Sequence, residues 1–178
     1  MTANINSILL AGPLSNIKIS ESQWGLQARA VLAGINIKIN GKEKDKERII
    51  PQLDKFQAAV LFDGTINSVQ DKNDAAKIWH SVDVSSSRII PVQTQVPVIN
   101  VAQIVGKVVQ VTDNWLTVAA SYQNKKTQEW KDRYMYVLGL SNMAHAQGKD
   151  ILVTGRVSPK HNGTWFMHVE ADTILLLS

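Results

Sequence analysis

The chain has 178 residues, a formal net charge of +4, 44% hydrophobic residues and no cysteine. The missing cysteines exclude disulfides, zinc–thiolate sites and thiol nucleophiles, and so mild a basicity leaves any polyanion binding to local patches. There is no basic-then-apolar leader and no apolar run near the ~18 residues of a membrane span, so a cytoplasmic, non-membrane protein of one large or two small domains is expected.

In chain order, Ser7 to Ser20 is apolar-rich around Gly12-Pro13. Trp24 to Ile39 alternates, with Leu26, Ala28, Ala30 and Leu32 on one side, then Ile35, Ile37 and Ile39. A period of two marks strands half buried on a sheet, and Gly34 marks a bulge or bend. Gly41 to Arg48 is a charge run of mixed sign, which reads as a solvated loop or hairpin tip. Phe56 to Phe62 reads as a further strand, and Asp71 to Trp79 as a short helix capped by Asp71 or Asn73. Ser85-Ser86-Ser87 reads as a turn. Arg88 to Val98, with Pro91 and Pro97, reads as extended linker.

The remaining sequence places strands at Ile104–Val108, Trp115–Ala120, Tyr134–Leu138, Ile151–Val157 and Trp165–Asp172. That order is what a five-stranded OB barrel requires. The two halves can be overlaid. Leu10–Leu14 matches Ile104–Val108, and Phe56–Phe62 matches Arg133–Gly139, but the first half offers no counterpart of Ile151–Val157 with its Gly155. The expected fold is therefore all-β: an OB barrel over 98–178, a linker over 93–97, and a degenerate OB-like domain over 1–92.

Single-strand binding requires cations along the backbone path and aromatic faces for the bases. The stretch Gln123 to Tyr134 supplies both, with Lys125, Lys126, Lys131 and Arg133 around Trp130 and Tyr134. In the second strand Leu116, Val118 and Ala120 form the more continuous apolar face; with that face as core Trp115 turns outward, and a buried Trp115 is the open alternative. In the third, Tyr134, Tyr136 and Leu138 oppose Met135 and Val137, and either set could be core. Asn162-Gly163 signals a hairpin turn, with Lys160 and His161 beside it in reach of phosphates; Trp165 and Phe166 after it point to opposite faces. The histidines lack metal-ligand spacing, His168 and Glu170 read as a surface pair, and no phosphate-binding loop or Gly-x-Ser-x-Gly occurs. No catalytic residue, metal or cofactor is expected.

The fragments Ile104-Val105-Gly106-Lys107-Val108, Asn114-Trp115-Leu116-Thr117-Val118-Ala119, Glu129-Trp130, Gly148 to Val157 and Val169 to Ile174 run in the order of the bacterial single-stranded-DNA-binding (SSB) family, which the C-terminal half resembles. The resemblance implies an OB fold of SSB type. It also implies a nucleoid-associated, sequence-independent binder that protects single-stranded DNA in replication, recombination or repair. Carried over with the residues above, it gives a nucleic-acid-binding set of Trp115, Lys125, Lys126, Trp130, Lys131, Arg133, Tyr134, Arg156, Lys160 and Trp165. SSB-like assemblies present four OB folds, which implies a homodimer with two per chain and a homotetramer with one. The sequence departs from the family in its short 158–164 hairpin, in the extra residues between Trp130 and Val137, and in stopping at Leu175-Leu176-Leu177-Ser178 where the family carries an acidic recruiting tail. Two alternatives stay open on the residues: a single-stranded RNA binder, and a structural or protein-interaction adaptor that binds no nucleic acid.

Overall fold

The structure is a computed structural model that describes residues 5–20, 25–70, 78–94, 96–124, 127–139, 143–159 and 167–177, without the side chains of 69, 70, 78 and 79. The elements are β1 (Ile5–Ser20), β2 (Gln27–Leu32), β3 (Ile35–Asn40), α1 (Lys44–Phe56), β4 (Ala58–Gln70), β5 (Ile78–Ser85), β6 (Ile89–Pro91), β7 (Ile99–Val111), β8 (Leu116–Gln123), β9 (Trp130–Leu138), β10 (Asp150–Ser158) and β11 (His168–Leu176). Short 3-10 turns lie at Ser86–Arg88 and Ala144–Ala146. Contacts divide the chain into two units, one of residues 1–7, 66–80 and 101–178 and one of 8–65 and 81–100. The ends of β1, β4 and β5 thus belong to the first unit.

In the first unit β7 pairs with β8, β8 with β9 and β10 with β11, all antiparallel. A parallel pairing of β9 with β11 and an antiparallel pairing of β10 with β7 close the ring. This is a closed five-stranded barrel, which leaves the sheet no free lateral edge in the ring. Alternation fills it: Ile104, Val118, Met135, Val137, Ile151 and Val153 are buried and point inward. Met135 and Val137, rather than the Tyr134 set, are therefore the core face of β9. Two glycines permit the closure. A Cβ on Gly106 would lie 2.5 Å from the Ala119 carbonyl oxygen, and one on Gly155 would run into the Glu170 carbonyl oxygen. Gly155 sits at a register shift between β10 and β11, where the bulge tightens the bend.

In the second unit β1 pairs with β2 and β2 with β3, both antiparallel, and β3 runs parallel to β5. β5 neighbours β4, which pairs antiparallel with β1 and carries β6 on its other edge. The long alternation from residue 26 to 39 is two strands. Ala33 and Gly34, at φ 49° and 82°, make the two-residue turn between the rung Leu32–Ile35 and its return, the backbone twist that hairpins favour. That turn shifts the phase of burial, and both apolar sets point into the core.

Four expectations change. The charge run 41–48 is not a loop: from Lys44 it is the first turn of α1. Ile49 and Leu53, four apart, share the buried face. Lys46 with Glu43 and Arg48 with Asp45 pair at i,i+3. Asp45 also accepts hydrogen bonds from the Ser86 hydroxyl at 2.7 Å and the Lys42 amide at 2.8 Å; these, the serine first, hold its carboxyl below the usual value. The stretch Phe56–Phe62 does not correspond to 133–139. Phe56 ends the helix, Gln57 at φ 51° turns the chain, and Ala58–Gln70 pairs with β1 as β10 pairs with β7. The helix expected over 71–79 lies largely outside the described residues, and its end belongs to β5. Ile89–Pro91, read as linker, pairs with Leu61 to Ala59, because Pro91 occupies an edge strand where a missing N–H is tolerated.

Candidate nucleic-acid interface

The stretch expected to be one basic loop is mostly sheet. β8 continues to Gln123 and β9 begins at Trp130, with rungs from Leu116–Val137 to Gln123–Trp130. β7 accompanies β8 only over Leu116–Ala119, so 120–123 and 130–133 form a two-stranded ribbon. Its end is tied by Asn124 and Gln128. The Asn124 amide donates to the Glu129 carbonyl at 2.8 Å, and the Gln128 amide to the Asn124 carbonyl at 2.7 Å. The Gln123 side-chain amide adds a bond to the Gln128 carbonyl at 3.1 Å.

Residues directly opposite on paired strands share a face. One face of the ribbon therefore carries Trp130 with Gln123, Asp132 with Ser121, and Tyr134 with Ala119, and continues to Tyr136 with Thr117. Trp130 is 63% exposed and Tyr134 46%, so both rings are open to a partner. Strand rise puts these residues about 13 Å apart. Between them the Ser121 hydroxyl donates to Asp132 at 2.6 Å, which satisfies one carboxylate oxygen. The other face carries Tyr122 with Lys131 and Ala120 with Arg133. The Arg133 guanidinium lies 4.1 Å from the centre of the Tyr122 ring, close enough for a cation–π contact that orients it. Lys131 reaches Glu129 at 3.8 Å with both side chains mostly exposed, a pairing worth little in water. The ribbon thus separates its chemistry, with aromatic faces on one side and cations on the other.

Trp115 is elsewhere. It ends the Thr112–Trp115 turn before β8, where the Thr112 hydroxyl donates to its carbonyl at 3.0 Å and its amide donates to the same hydroxyl at 3.1 Å. Its ring meets Tyr136 at 6.4 Å between centroids and 82° between planes. Tyr136 in turn meets His80, at 5.6 Å and 72°. These rings form a half-buried cluster on the inner part of the same face. Thr117 and Ala119, which share that face, are buried as well as the core set Leu116, Val118 and Ala120.

Arg156 lies on β10, away from the ribbon, and donates to Glu170 at 2.6 Å. That bond holds the Glu170 carboxyl below its usual value. His168, expected with Glu170 at the surface, is buried; its Nε2 lies 3.6 Å from Glu170, because β11 enters the barrel there opposite Ser158. Lys125, Lys126, Lys160 and Trp165 lie outside the described residues, as does the Asn162-Gly163 turn. Sequence reasoning passed over Tyr122, left Tyr136 open between core and surface, and gave His80 no place beside them. The first two were visible as aromatics in strands, but their partners depend on cross-strand register.

The sequence matches no protein-family description, and no curated protein matches it. Among solved structures the fold is similar to a deletion and substitution variant of the single-stranded DNA binding protein from Thermus aquaticus. The TM-score is 0.70 at 17% identity, over 99% of this chain and 96% of that one. Two further likenesses carry a TM-score of 0.27 each and support no argument: a Replication Protein A heterotrimer bound to single-stranded DNA, at 12% identity over 98% of this chain and 49% of that one, and a murine DNA binding protein, at 13% identity over 97% and 98%. The Thermus aquaticus likeness runs over the whole chain rather than its C-terminal half. It shows a shared fold, and with the ring of strand pairings it makes the first unit an OB barrel.

Proposed function

We propose that this chain binds single-stranded DNA without sequence preference, and that the β8–β9 ribbon is its principal contact. The observation that carries this reading is the pair of exposed rings, Trp130 and Tyr134, on one face of a ribbon whose other face presents Lys131 and the Tyr122-held Arg133. Base stacking on aromatic faces is sequence-tolerant because every base has a π-face. Cations on the opposite side and at the edge meet the phosphates and make binding salt-dependent. Trp115 and Arg156 and, on the sequence alone, Lys125, Lys126, Lys160 and Trp165 are proposed as further contacts. In this reading the second unit is another OB barrel. Its pairings follow the same circuit, with α1 between the third and fourth strands, so two barrels per chain favour a homodimer. The resemblance to SSB proteins supports a role in protecting single strands during replication, recombination or repair.

The test is fluorescence anisotropy of labelled oligo-dT with the wild-type chain and with Trp130→Ala. Loss of one stacking ring should weaken binding by about 5- to 150-fold, corresponding to ~1–3 kcal/mol. Unchanged affinity in a folded variant removes the ribbon from the account. No binding by the wild-type chain at low salt rejects the function itself.

A further inference from the structure

A carboxylate stands on the aromatic face of the ribbon. Asp132 lies two residues from Trp130 and two from Tyr134 on β9, so strand rise sets it about 6–7 Å from each. It is exposed, and its cross-strand partner is Ser121. The Ser121 hydroxyl commits its single hydrogen to Asp132 Oδ1 at 2.6 Å. Among the described residues Asp132 forms no ion pair and no other hydrogen bond. Glu129, the neighbouring acid, is drawn to Lys131 at 3.8 Å, and the Arg133 guanidinium is seated on Tyr122 on the other face. The space between the two open rings therefore holds a positioned carboxylate with one oxygen unengaged, beside a hydroxyl that can only accept.

We propose that Asp132, held by Ser121, reads the edges of bases stacked on Trp130 and Tyr134 and grades single strands by composition, in favour of bases that carry an amino group. The inference rests on the proposed function and deepens it: stacking admits every base, and Asp132 ranks them. A carboxylate accepts hydrogen bonds and donates none. Cytosine offers it the N4 amino group, the pairing that acidic side chains make with this base. Adenine offers its N6 amino group, and guanine an N–H and an amino group side by side. Thymine has no amino group, and its one N–H stands between two carbonyl oxygens that a carboxylate repels. Cytosine and thymine have rings of the same size, so a difference between them arises at the edge rather than from stacking area. The same charge turns phosphates away from this face and toward Lys131 and Arg133 on the other, which leaves the rings to the bases. The serine–aspartate bond also ties the two strands of the ribbon, but that role occupies one oxygen and leaves the other for a base.

The test compares the affinity of the chain for oligo-dC and oligo-dT of equal length, at one salt concentration and neutral pH, in the wild type, Asp132→Asn and Ser121→Ala. The wild type should bind oligo-dC about 2- to 12-fold more tightly, the effect of one net hydrogen bond. Asp132→Asn keeps the shape but presents a donor as well as an acceptor, so the two affinities should become equal. Loss of the negative charge raises both together and leaves their ratio as the readout. Ser121→Ala releases the carboxylate from its position and should narrow the gap. A wild-type chain that binds oligo-dT as tightly as oligo-dC, or more tightly, overturns the proposal whether or not either variant folds. An unchanged ratio in whichever variant folds also overturns it and leaves the ribbon reading intact. Failure of the wild-type chain to bind either strand at low salt overturns both.

Discussion

Burial pushes the His80 imidazole down from 6.5 to about 4. The folded chain therefore keeps this ring neutral over a range where the unfolded chain already binds the proton. Its contribution to stability is complete above about pH 6.5 and falls as the pH drops toward about 4. Urea midpoints measured across that window should decline in the wild type and decline less steeply in His80→Gln. Equal slopes in the two chains would contradict a buried neutral ring. Glu170 and Asp45, both held below the usual carboxylate values, act in the same direction at lower pH, so they steepen the acid end. Arg133 invites a different measurement. With Tyr122 beneath it the guanidinium is oriented before any phosphate arrives. Arg133→Gln should reduce the slope of log affinity for oligo-dT against log salt by about 0.7, the value for one phosphate contact on a single strand. Tyr122→Ala should weaken binding with a smaller change in slope, since the charge remains. An unaltered slope in Arg133→Gln removes that contact.

The elements carry the clearest lessons about what local sequence encodes. The change of phase between Leu32 and Ile35 is legible because burial alternates on both sides of it, and only a turn shifts that alternation. Helix α1 is hidden by its own composition. Its first turn is a run of mixed charges and Pro51 stands inside it, where loss of an N–H normally argues against a helix. The pair Ile49 and Leu53 is the periodic signal that outweighs both. The ribbon is hidden for a similar reason, since Gln, Asn and Lys are poor strand formers and read as loop. Only the rungs with β8 make 130–134 a strand. The placement of Trp130 and Tyr134 on one face follows from their spacing of four, but the seating of Arg133 on Tyr122 requires the cross-strand register. Barrel closure gives a direct test at this scale. Gly155→Ala should destabilise the chain by about 1–3 kcal/mol, the range for overpacking, because its Cβ meets the backbone of Glu170 rather than a yielding side chain. A thermal midpoint equal to that of the wild type would contradict the close approach of β10 and β11.

At the scale of the whole molecule, the second barrel proposed for the other unit is poorly visible in sequence. Phe56–Phe62 has the hydrophobic order of the third strand, yet Phe56 ends α1 and the rest enters β4, which pairs with β1. A helix inserted between β3 and β4 displaces the pattern, so an overlay in sequence order fails after the first strands. Hydrophobic order repeats within many strands, whereas pairing identifies each one. A net charge of +4 is too small to hold a polyanion by itself, so the proposed binding depends on the rings of the ribbon. The most direct test is titration of the intact chain with oligo-dT, followed by tryptophan fluorescence at low and at raised salt. The account predicts strong quenching at low salt, with affinity falling linearly on a log–log plot against salt. A folded chain whose fluorescence does not change at low salt, at any oligo-dT concentration, would contradict it.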